Sequence, residues 1–593
     1  MQVITADQVG PLIPDHATIF LGGLAVTSLP EEILQGLERH FLATGHPQMV
    51  STWACGAVGN SGEAGMKHFA HKGMIKRVIA GHFGQTGKEM MKMVFDGEVE
   101  AYNFPQGSLS HLTRQIANKS PGLLTQVGLG TFVDPRLEGG KMNAASTEDL
   151  VKVVEFDGQE WLYYRSPKID VAIIRGTVCD ENGNLTLDKE GVLLEQLSIA
   201  QAAKRWGGVV ICQVEQIVQN GSLHPKAVKV PGFLIDYVVV ARPENHMQSI
   251  TTQYNPALCG NIRVPLGHLE PMPLDERKVI ARRAAMEVRP GAITNLGIGI
   301  PAGIPTVAAE EGVSDLLKLS IESGVNGGVP AQLGDFGLAY NPESIIEQSF
   351  QFDFYDGGGL SASFLGLAQV DHHGNVNVSK FSGRPVGCGG FINITRSTKN
   401  LVFCGSFTAG GVELKIGGGK LEIVKEGRNK KFIERVEQVT FNGHDAALRE
   451  QNVIFITERA VFHLREDGLE LTEIAPGIDL ERDVLAHMAF KPIIKDVKIM
   501  DPGIFSETWG GLAARSTRTD RPPPLRLTPS HAYADLRRFA RRPSLRRQGP
   551  SSTLTPLKGA QPADRQSRIR GCRSLTAAAL HRSETPHGLR CHL

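Results

Sequence analysis

Residues 17–42 read Ala17-Thr-Ile-Phe-Leu-Gly22-Gly23-Leu-Ala-Val-Thr-Ser-Leu29-Pro-Glu-Glu-Ile33-Leu34-Gln-Gly-Leu37-Glu-Arg-His-Phe41-Leu42. Residues 17–21 form an apolar run of strand length, and a glycine pair follows. Leu29, Ile33, Leu34, Leu37 and Phe41 then fall on one face at helical spacing. The stretch therefore predicts strand, glycine turn and amphipathic helix in succession. Residues 75–80 and 208–214 read as further buried strands. Strands that alternate with amphipathic helices call for parallel sheets with crossover helices, since a parallel neighbour cannot be reached by a tight turn.

The pattern restarts further on. Pro265 to Pro273 is followed by a charged amphipathic helix over 275–288, a strand over 292–296, and Gly297-Ile-Gly299-Ile-Pro-Ala-Gly303. This repeats the unit at Gly22. A second echo is sharper: Asp180-Glu-Asn-Gly183-Asn184-Leu-Thr-Leu against Asp371-His-His-Gly374-Asn375-Val-Asn-Val. Each follows an apolar run and reads as a hairpin turn between strands. The fold class expected is α/β: two similar open α/β domains with mainly parallel sheets, as pseudo-repeated halves. Residues 1–243 form the first, 244–272 a linker and 273–514 the second. The 593 residues also exceed the ~250–300 that one hydrophobic core supports.

Residues 515–593 stand apart. They hold 17 basic residues against 4 acidic, and 16 of the basic residues are Arg; residues 1–514 hold 46 basic against 58 acidic. With Pro scattered through it and no sustained helix or strand period, this stretch reads as a tail that cannot offset its ordering entropy. A basic arm for nucleic acid is the competing reading, but the aromatic residues of a single-strand binder are missing, and no nucleic-acid partner is expected. No run approaches the ~20 apolar residues of a membrane span, no secretory pattern opens the chain, and the eight Cys show no Cys-x-x-Cys pair. A cytoplasmic protein without a resident metal is the expectation.

Residues 316–321 alternate as a strand end, and Glu322-Ser-Gly-Val-Asn-Gly-Gly328 follows. A carboxylate there stands at the carboxyl edge of a parallel strand, where open α/β sheets bind ligands. Downstream lie Asp356-Gly-Gly-Gly359, Gly387-Cys-Gly389-Gly390-Phe391 and Phe403-Cys-Gly-Ser-Phe-Thr-Ala-Gly-Gly411. Backbone N–H groups at such turns can hold an oxyanion. Other features read as structural. His68 and His71 lack a third ligand, His372-His373 falls in a turn, Lys380 and Arg384 read as surface charge, and Cys388 has no partnered His.

These motifs together resemble the family I coenzyme A transferases in their single-chain form, over residues 1 to about 512. The first half resembles the α-type subunit in Phe20-Leu-Gly-Gly23, Tyr102-Asn-Phe-Pro-Gln-Gly-Ser108, Gly130-Thr-Phe-Val-Asp-Pro135 and Glu138-Gly-Gly-Lys141. The second resembles the β-type subunit in Ser320-Ile-Glu-Ser-Gly324, Phe364-Leu-Gly-Leu-Ala-Gln369 and Gly387-Cys-Gly-Gly-Phe391. Two-subunit members carry Ser-Glu-Asn-Gly at the nucleophile, where this chain has Glu322-Ser-Gly. Many relatives have Asp where Ser361-Ala-Ser363 stands here.

The resemblance implies a site at the interface of the halves, with Glu322 as nucleophile. Backbone groups at Gly389, Gly390, Gly297, Ile298 and Gly299 would hold the oxyanion and coenzyme A, and Gln106 the substrate carboxylate. It implies ping-pong transfer of coenzyme A from a short-chain acyl-CoA to acetate, propionate, butyrate or a 3-keto acid through a glutamyl–CoA thioester. Coenzyme A is then substrate and covalent intermediate with no permanently bound cofactor, and a homo-oligomer, dimer or tetramer, is expected. An acyl-CoA hydrolase on the same fold and a non-catalytic ligand-binding regulator are the alternatives.

Overall fold

The computed structural model describes residues 1–265 and 271–516. The basic tail thus lies outside the described residues, except for its first two. The main sheet of the first half has eight strands: β1 (Gln2–Ile4), β2 (Thr18–Leu21), β3 (Val50–Ala54), β4 (Ile75–Ala80), β5 (Glu100–Asn103), β6 (Val171–Arg175), β7 (Val209–Val214) and β8 (Tyr237–Val240). They lie in the order β1-β8-β7-β6-β2-β3-β4-β5, every neighbouring pair parallel. The chain builds outward from β2 in one direction and from β6 in the other. The order therefore switches between β2 and β6, and Gly22-Gly23 leaves the sheet at that point.

The second half repeats the plan with β9 (Ile293–Leu296), β10 (Lys318–Ser320), β11 (Ala362–Gly366), β12 (Asn400–Cys404) and β13 (Asn452–Ile456). These are parallel in the order β10-β9-β11-β12-β13. The switch falls between β9 and β11, where Gly297 leaves. Beyond this centre the expected parallel character gives way. Val325–Asn326 and Ser344–Ile345 extend one side antiparallel, and Ala460–Arg465 and Gly468–Ile474 extend the other. The turns at 321–324, 457–459 and 466–467 are short enough to demand this, because only antiparallel neighbours can be joined without a crossover.

Helices cover the sheets: α1 (Glu31–Thr44), α2 (Gln106–Ala117), α3 (Gln196–Arg205), α4 (Glu276–Ala285), α5 (Ile304–Glu310), α6 (Gln348–Asp356) and α7 (Phe391–Ser397). The predicted face of α1 is buried: Leu29, Ile33, Leu34 and Leu37 are in the core and Phe41 packs against it. Each such aliphatic contributes about 1.5–3 kcal/mol on burial. The two Asp-x-x-Gly-Asn echoes are superposable hairpins. Asp180 accepts from the N–H groups of Asn182 and Asn184 and from Asn184 Nδ2. Asp371 accepts from His373, Asn375 and Asn375 Nδ2 in the same way. Both glycines take positive φ, 86° at Gly183 and 75° at Gly374.

The connection after β8 docks on the second half. Thr251 and Thr252 hydroxyls donate to Asp335 at 3.0 and 3.1 Å, and Val264 exchanges two hydrogen bonds with the Asn341 side chain. Residues 504–513 are fastened to the rest of the second half. Leu512 is buried, and Glu311 accepts from the N–H groups of Gly510, Leu512 and Ala513. Arg282 donates to the carbonyls of Ile504, Ser506 and Glu507. No helix among the described residues is long and apolar enough to cross a membrane.

A chain ending at Ser516 is expected to keep the full-length unfolding temperature and turnover. A chain ending at Glu507 removes Leu512 and three donors of Glu311, so its unfolding temperature falls by several degrees. Differential scanning calorimetry of the two truncations checks this.

Candidate active site

The segment 386–390 of the second half is stitched into the first. Phe83 N–H donates to the Val386 carbonyl at 2.7 Å, Gly389 N–H to the Gly81 carbonyl at 2.7 Å, and Gln106 N–H to the Gly389 carbonyl at 2.9 Å. Asn103, at the end of β5, donates through Nδ2 to the carbonyls of Ala80 and Gly81 and accepts from Cys388 N–H at 2.9 Å. Asn393, on α7, accepts from Gly107 N–H at 3.0 Å. Cys388 and Ile392 complete the packing by entering the first half's core. Gly387 allows the approach: its φ is 96°, and a Cβ there would stand 2.8 Å from Asn103 Nδ2.

This stitching closes a cavity of about 280 Å³ lined by Glu322, Gln106, Asn295, His82, Gly390 and Ile298, among others. Glu322 follows β10 on the turn Glu322-Ser-Gly. Gly324 holds that turn with φ of 102°, and a Cβ there would lie 2.0 Å from the Ile346 carbonyl oxygen. Buried polar groups support the turn. Tyr355 and Ser320 hydroxyls share a 2.8 Å hydrogen bond, Gln351 donates to Ser320, and Asn295 donates to the Ser320 carbonyl. Burial raises the Glu322 carboxyl above its ordinary range, and the Asn295 amide partly offsets this. A carboxylate raised this way is thinly solvated, so little water must be stripped before it attacks.

The five expected backbone donors divide. Gly389 N–H is spent on Gly81, and Gly297 N–H on the Phe364 carbonyl at 2.7 Å; both serve the shape of the site. The N–H groups of Gly390, Ile298 and Gly299 have no hydrogen-bond partner among the described residues. Of these three, Gly390 and Ile298 line the cavity and Gly299 stands outside its lining. Gly390 adjoins the nucleophile candidate, since a Cβ on it would lie 3.5 Å from Glu322 Cγ. Gln106 opens α2 with its side chain at the cavity wall, and its Nε2 donates inward to Gln348 at 2.9 Å.

Sequence reasoning missed His82 and Gln85, which follow the carboxyl end of β4 and line the same cavity. Their place after a parallel strand was the available signal. The His82 ring faces the cavity, and desolvation pushes it down to about 4. Its Nδ1 accepts from Gly84 N–H at 3.0 Å, which leaves the proton on Nε2. It is a neutral donor to the cavity and not a base. Cys388 stays a thiol, since burial pushes it far up. A second, larger chamber of about 1110 Å³ lies alongside, lined by Leu296, Pro305, Ala309, Leu319, Ile321 and Tyr340; Gly297 and Phe336 line both.

The features set aside as structural are partnered. His68 lies between Glu31 and Glu38 at 2.7 and 2.6 Å, and His71 reaches Glu38 at 2.7 Å. Lys380 pairs with Glu138 at 3.6 Å, Arg384 lies over Phe95, and His372 and His373 are exposed. No cluster of three metal-ligating side chains occurs among the described residues. The Ser363 hydroxyl, on β11, bonds that of Thr398, just after α7, at 3.2 Å.

Comparison with known proteins follows the same lines. A profile described as Coenzyme A transferase matches residues 4–241. The chain is 48% identical over 516 residues to caffeate CoA-transferase of Acetobacterium woodii, covering 86% of this chain and 98% of that protein. It is 42% identical over 505 residues to acetate CoA-transferase YdiF of Escherichia coli O157:H7, covering 85% and 95%. The crystal structure of the latter's thioester complex with CoA matches with a TM-score of 0.81 at 41% identity, over 86% of this chain and 97% of that one.

Gly324→Ala is expected to lower the unfolding temperature and to cut turnover by tenfold or more. The left-handed turn cannot accept a Cβ facing a carbonyl, and Glu322 rides on that turn. Thermal unfolding and steady-state assays of the one variant check both parts.

Proposed function

The chain belongs to the coenzyme A transferase family and moves coenzyme A onto an acceptor carboxylate; from that premise we propose that Glu322 is the nucleophile that carries it. The observation that supports this most is the desolvated carboxylate, on a turn that Gly324 shapes, beside unspent N–H groups at the seam of the two halves.

The Glu322 carboxylate attacks the thioester carbonyl, the C–S bond breaks, and coenzyme A leaves as thiolate. The mixed anhydride that remains is attacked by the thiolate at the glutamyl carbonyl. The donor acid departs as carboxylate and a glutamyl–CoA thioester is left. The acceptor carboxylate then runs the same steps in reverse. No step requires proton transfer, so a general base is unnecessary, which agrees with a His82 that has no free lone pair to offer. The negative charge that builds on each carbonyl oxygen meets the N–H groups of Gly390 and Ile298. One such donor contributes ~10²–10³ in rate. Gln106, with Asn295, meets the carboxylate substrate. The small cavity suits short acyl groups such as acetyl, propionyl, butyryl or a 3-keto acyl chain, and the larger chamber suits the pantetheine arm. Binding of that remote arm is then spent at the reacting carbon.

A hydrolase reading needs a group to activate water, and His82 cannot be it. A cytoplasmic homo-oligomer, dimer or tetramer, completes the proposal. The six free cysteines among the described residues agree with a reducing compartment, and analytical ultracentrifugation reads the oligomeric state.

Incubation with acetyl-CoA, digestion and mass spectrometry are expected to find coenzyme A on the Glu322 peptide, discharged by acetate or propionate. Glu322→Ala keeps its fold by circular dichroism and loses transfer by at least about 10⁴-fold; near-normal turnover in it would overturn the mechanism. Free coenzyme A accumulating without an adduct would instead indicate hydrolysis.

Ala309→Phe narrows the larger chamber. It is expected to raise KM for acyl-CoA several-fold while KM for the acceptor acid stays unchanged, a split that initial-rate kinetics resolves.

A further inference from the structure

Behind Gln106 lies a carboxylate that the transfer steps do not use. Glu195 precedes α3 and is buried. Its Oε1 accepts from the Ser110 hydroxyl at 2.5 Å and from Gln348 Nε2 at 2.7 Å. Gln348 Oε1 in turn accepts from Gln106 Nε2 at 2.9 Å. One chain of hydrogen bonds thus runs from a buried acid in the first half, through the first residue of α6 in the second, to the cavity wall.

An amide can be turned end for end, so neither glutamine fixes its own orientation. An ionised carboxylate only accepts. It obliges Gln348 to present Nε2 to it and Oε1 to Gln106, and Gln106 must then present Nε2 inward. That leaves Gln106 Oε1 on the cavity side, 3.8 Å from where a Cβ on Gly389 would stand. A protonated carboxyl can donate to Gln348 Oε1 and reverse the whole chain, so that Gln106 turns its N–H groups to the cavity. A substrate carboxylate requires donors.

The geometry points to Glu195 as a positioning residue whose proton sets the direction of the Gln348–Gln106 chain, and so decides whether the site offers an acceptor or a donor to the incoming acid. This rests on the proposed contact of Gln106 with the carboxylate substrate. Burial and the negative charge of Glu347 push the Glu195 carboxyl up, against hydrogen bonds from Ser110, Gln348 and the Cys55 thiol, to about 7. The other titratable groups facing it are Cys55, whose thiol is itself pushed far up, and Glu347, which is raised by burial against the charges of Arg114 and Lys229. Glu195 therefore changes state in the neutral range, while Cys55 does not.

In a ping-pong reaction, kcat/KM for the acceptor acid reports the enzyme form that meets it, here glutamyl-CoA, in which Glu322 has no proton to lose. With acetyl-CoA as donor and propionate as acceptor, kcat/KM for propionate is expected to fall as pH rises through about 7, approaching about tenfold per pH unit. Glu195→Gln, neutral at every pH and nearly isosteric, flattens that limb to within twofold, and Glu347→Gln retains it. Gln348→Leu cuts the chain without touching Glu195, and both flattens the limb and lowers kcat/KM about tenfold, the loss of one hydrogen bond. If Gln106→Ala lowers kcat/KM for propionate but Glu195→Gln keeps the limb, the inference falls and the reading of Gln106 stands. If Gln106→Ala changes nothing, the reading of Gln106 fails and the inference with it. Far-ultraviolet circular dichroism of each variant separates these outcomes from misfolding.

Discussion

The site depends on a short run of backbone, 386–390, that leaves its own half and hydrogen-bonds into the other. The bonds it makes to Phe83, Gly81, Gln106 and Asn103 satisfy polar groups that the joined halves bury, each of which would cost about 1–3 kcal/mol if it were left buried without a partner. Gly387 lets the backbone come that close, and Cys388 and Ile392 anchor it in apolar packing. Because Gly389 spends its N–H on the seam, the free donor falls to its neighbour Gly390, next to Glu322. The constraint that joins the halves is thus the one that leaves the Gly390 N–H free beside Glu322.

Electrostatics in the cavity follow from its closure. Desolvation raises Glu322, lowers His82 and keeps Cys388 protonated, so that thiolate chemistry is suppressed. The chambers divide the work. The smaller gathers Glu322, Gln106, Asn295 and His82 in an otherwise apolar wall, the larger is also lined mainly by apolar side chains, and Gly297 and Phe336 border both. Both lie at the carboxyl edge of β9 and β10, beside the point where strand order reverses. There the strand ends diverge and leave room that no side chain must fill.

Much of this was legible in the sequence. Strand, glycine and helix at 17–42 fixed the parallel first sheet, and the Asp180 and Asp371 hairpins announced the repeat, because turn chemistry is local and is written in adjacent residues. Glu322, Gln106 and the 387–391 glycines became candidates through resemblance, and the structure gathers them around one cavity. What escaped were properties of the assembled molecule. Which N–H groups remain free at Gly297 and Gly389 depends on partners far away in the chain. His82 gave no helical or strand pattern, and Glu195 reads as an ordinary residue ahead of a helix. Its burial is created by α2 and α6 closing over it. The antiparallel flanks of the second sheet escaped because their strands are only two to seven residues long.

The connection after β8, pinned at Asp335 and Asn341, has a consequence of another kind. The two halves of the site are held on one polypeptide, so each meets the other at an effective concentration fixed by the tether and not by how much protein is present. Closure of the cavity is then a folding event, independent of dilution. A seam joined on one chain can rest on a smaller buried surface than two separate chains at low concentration would need to stay together.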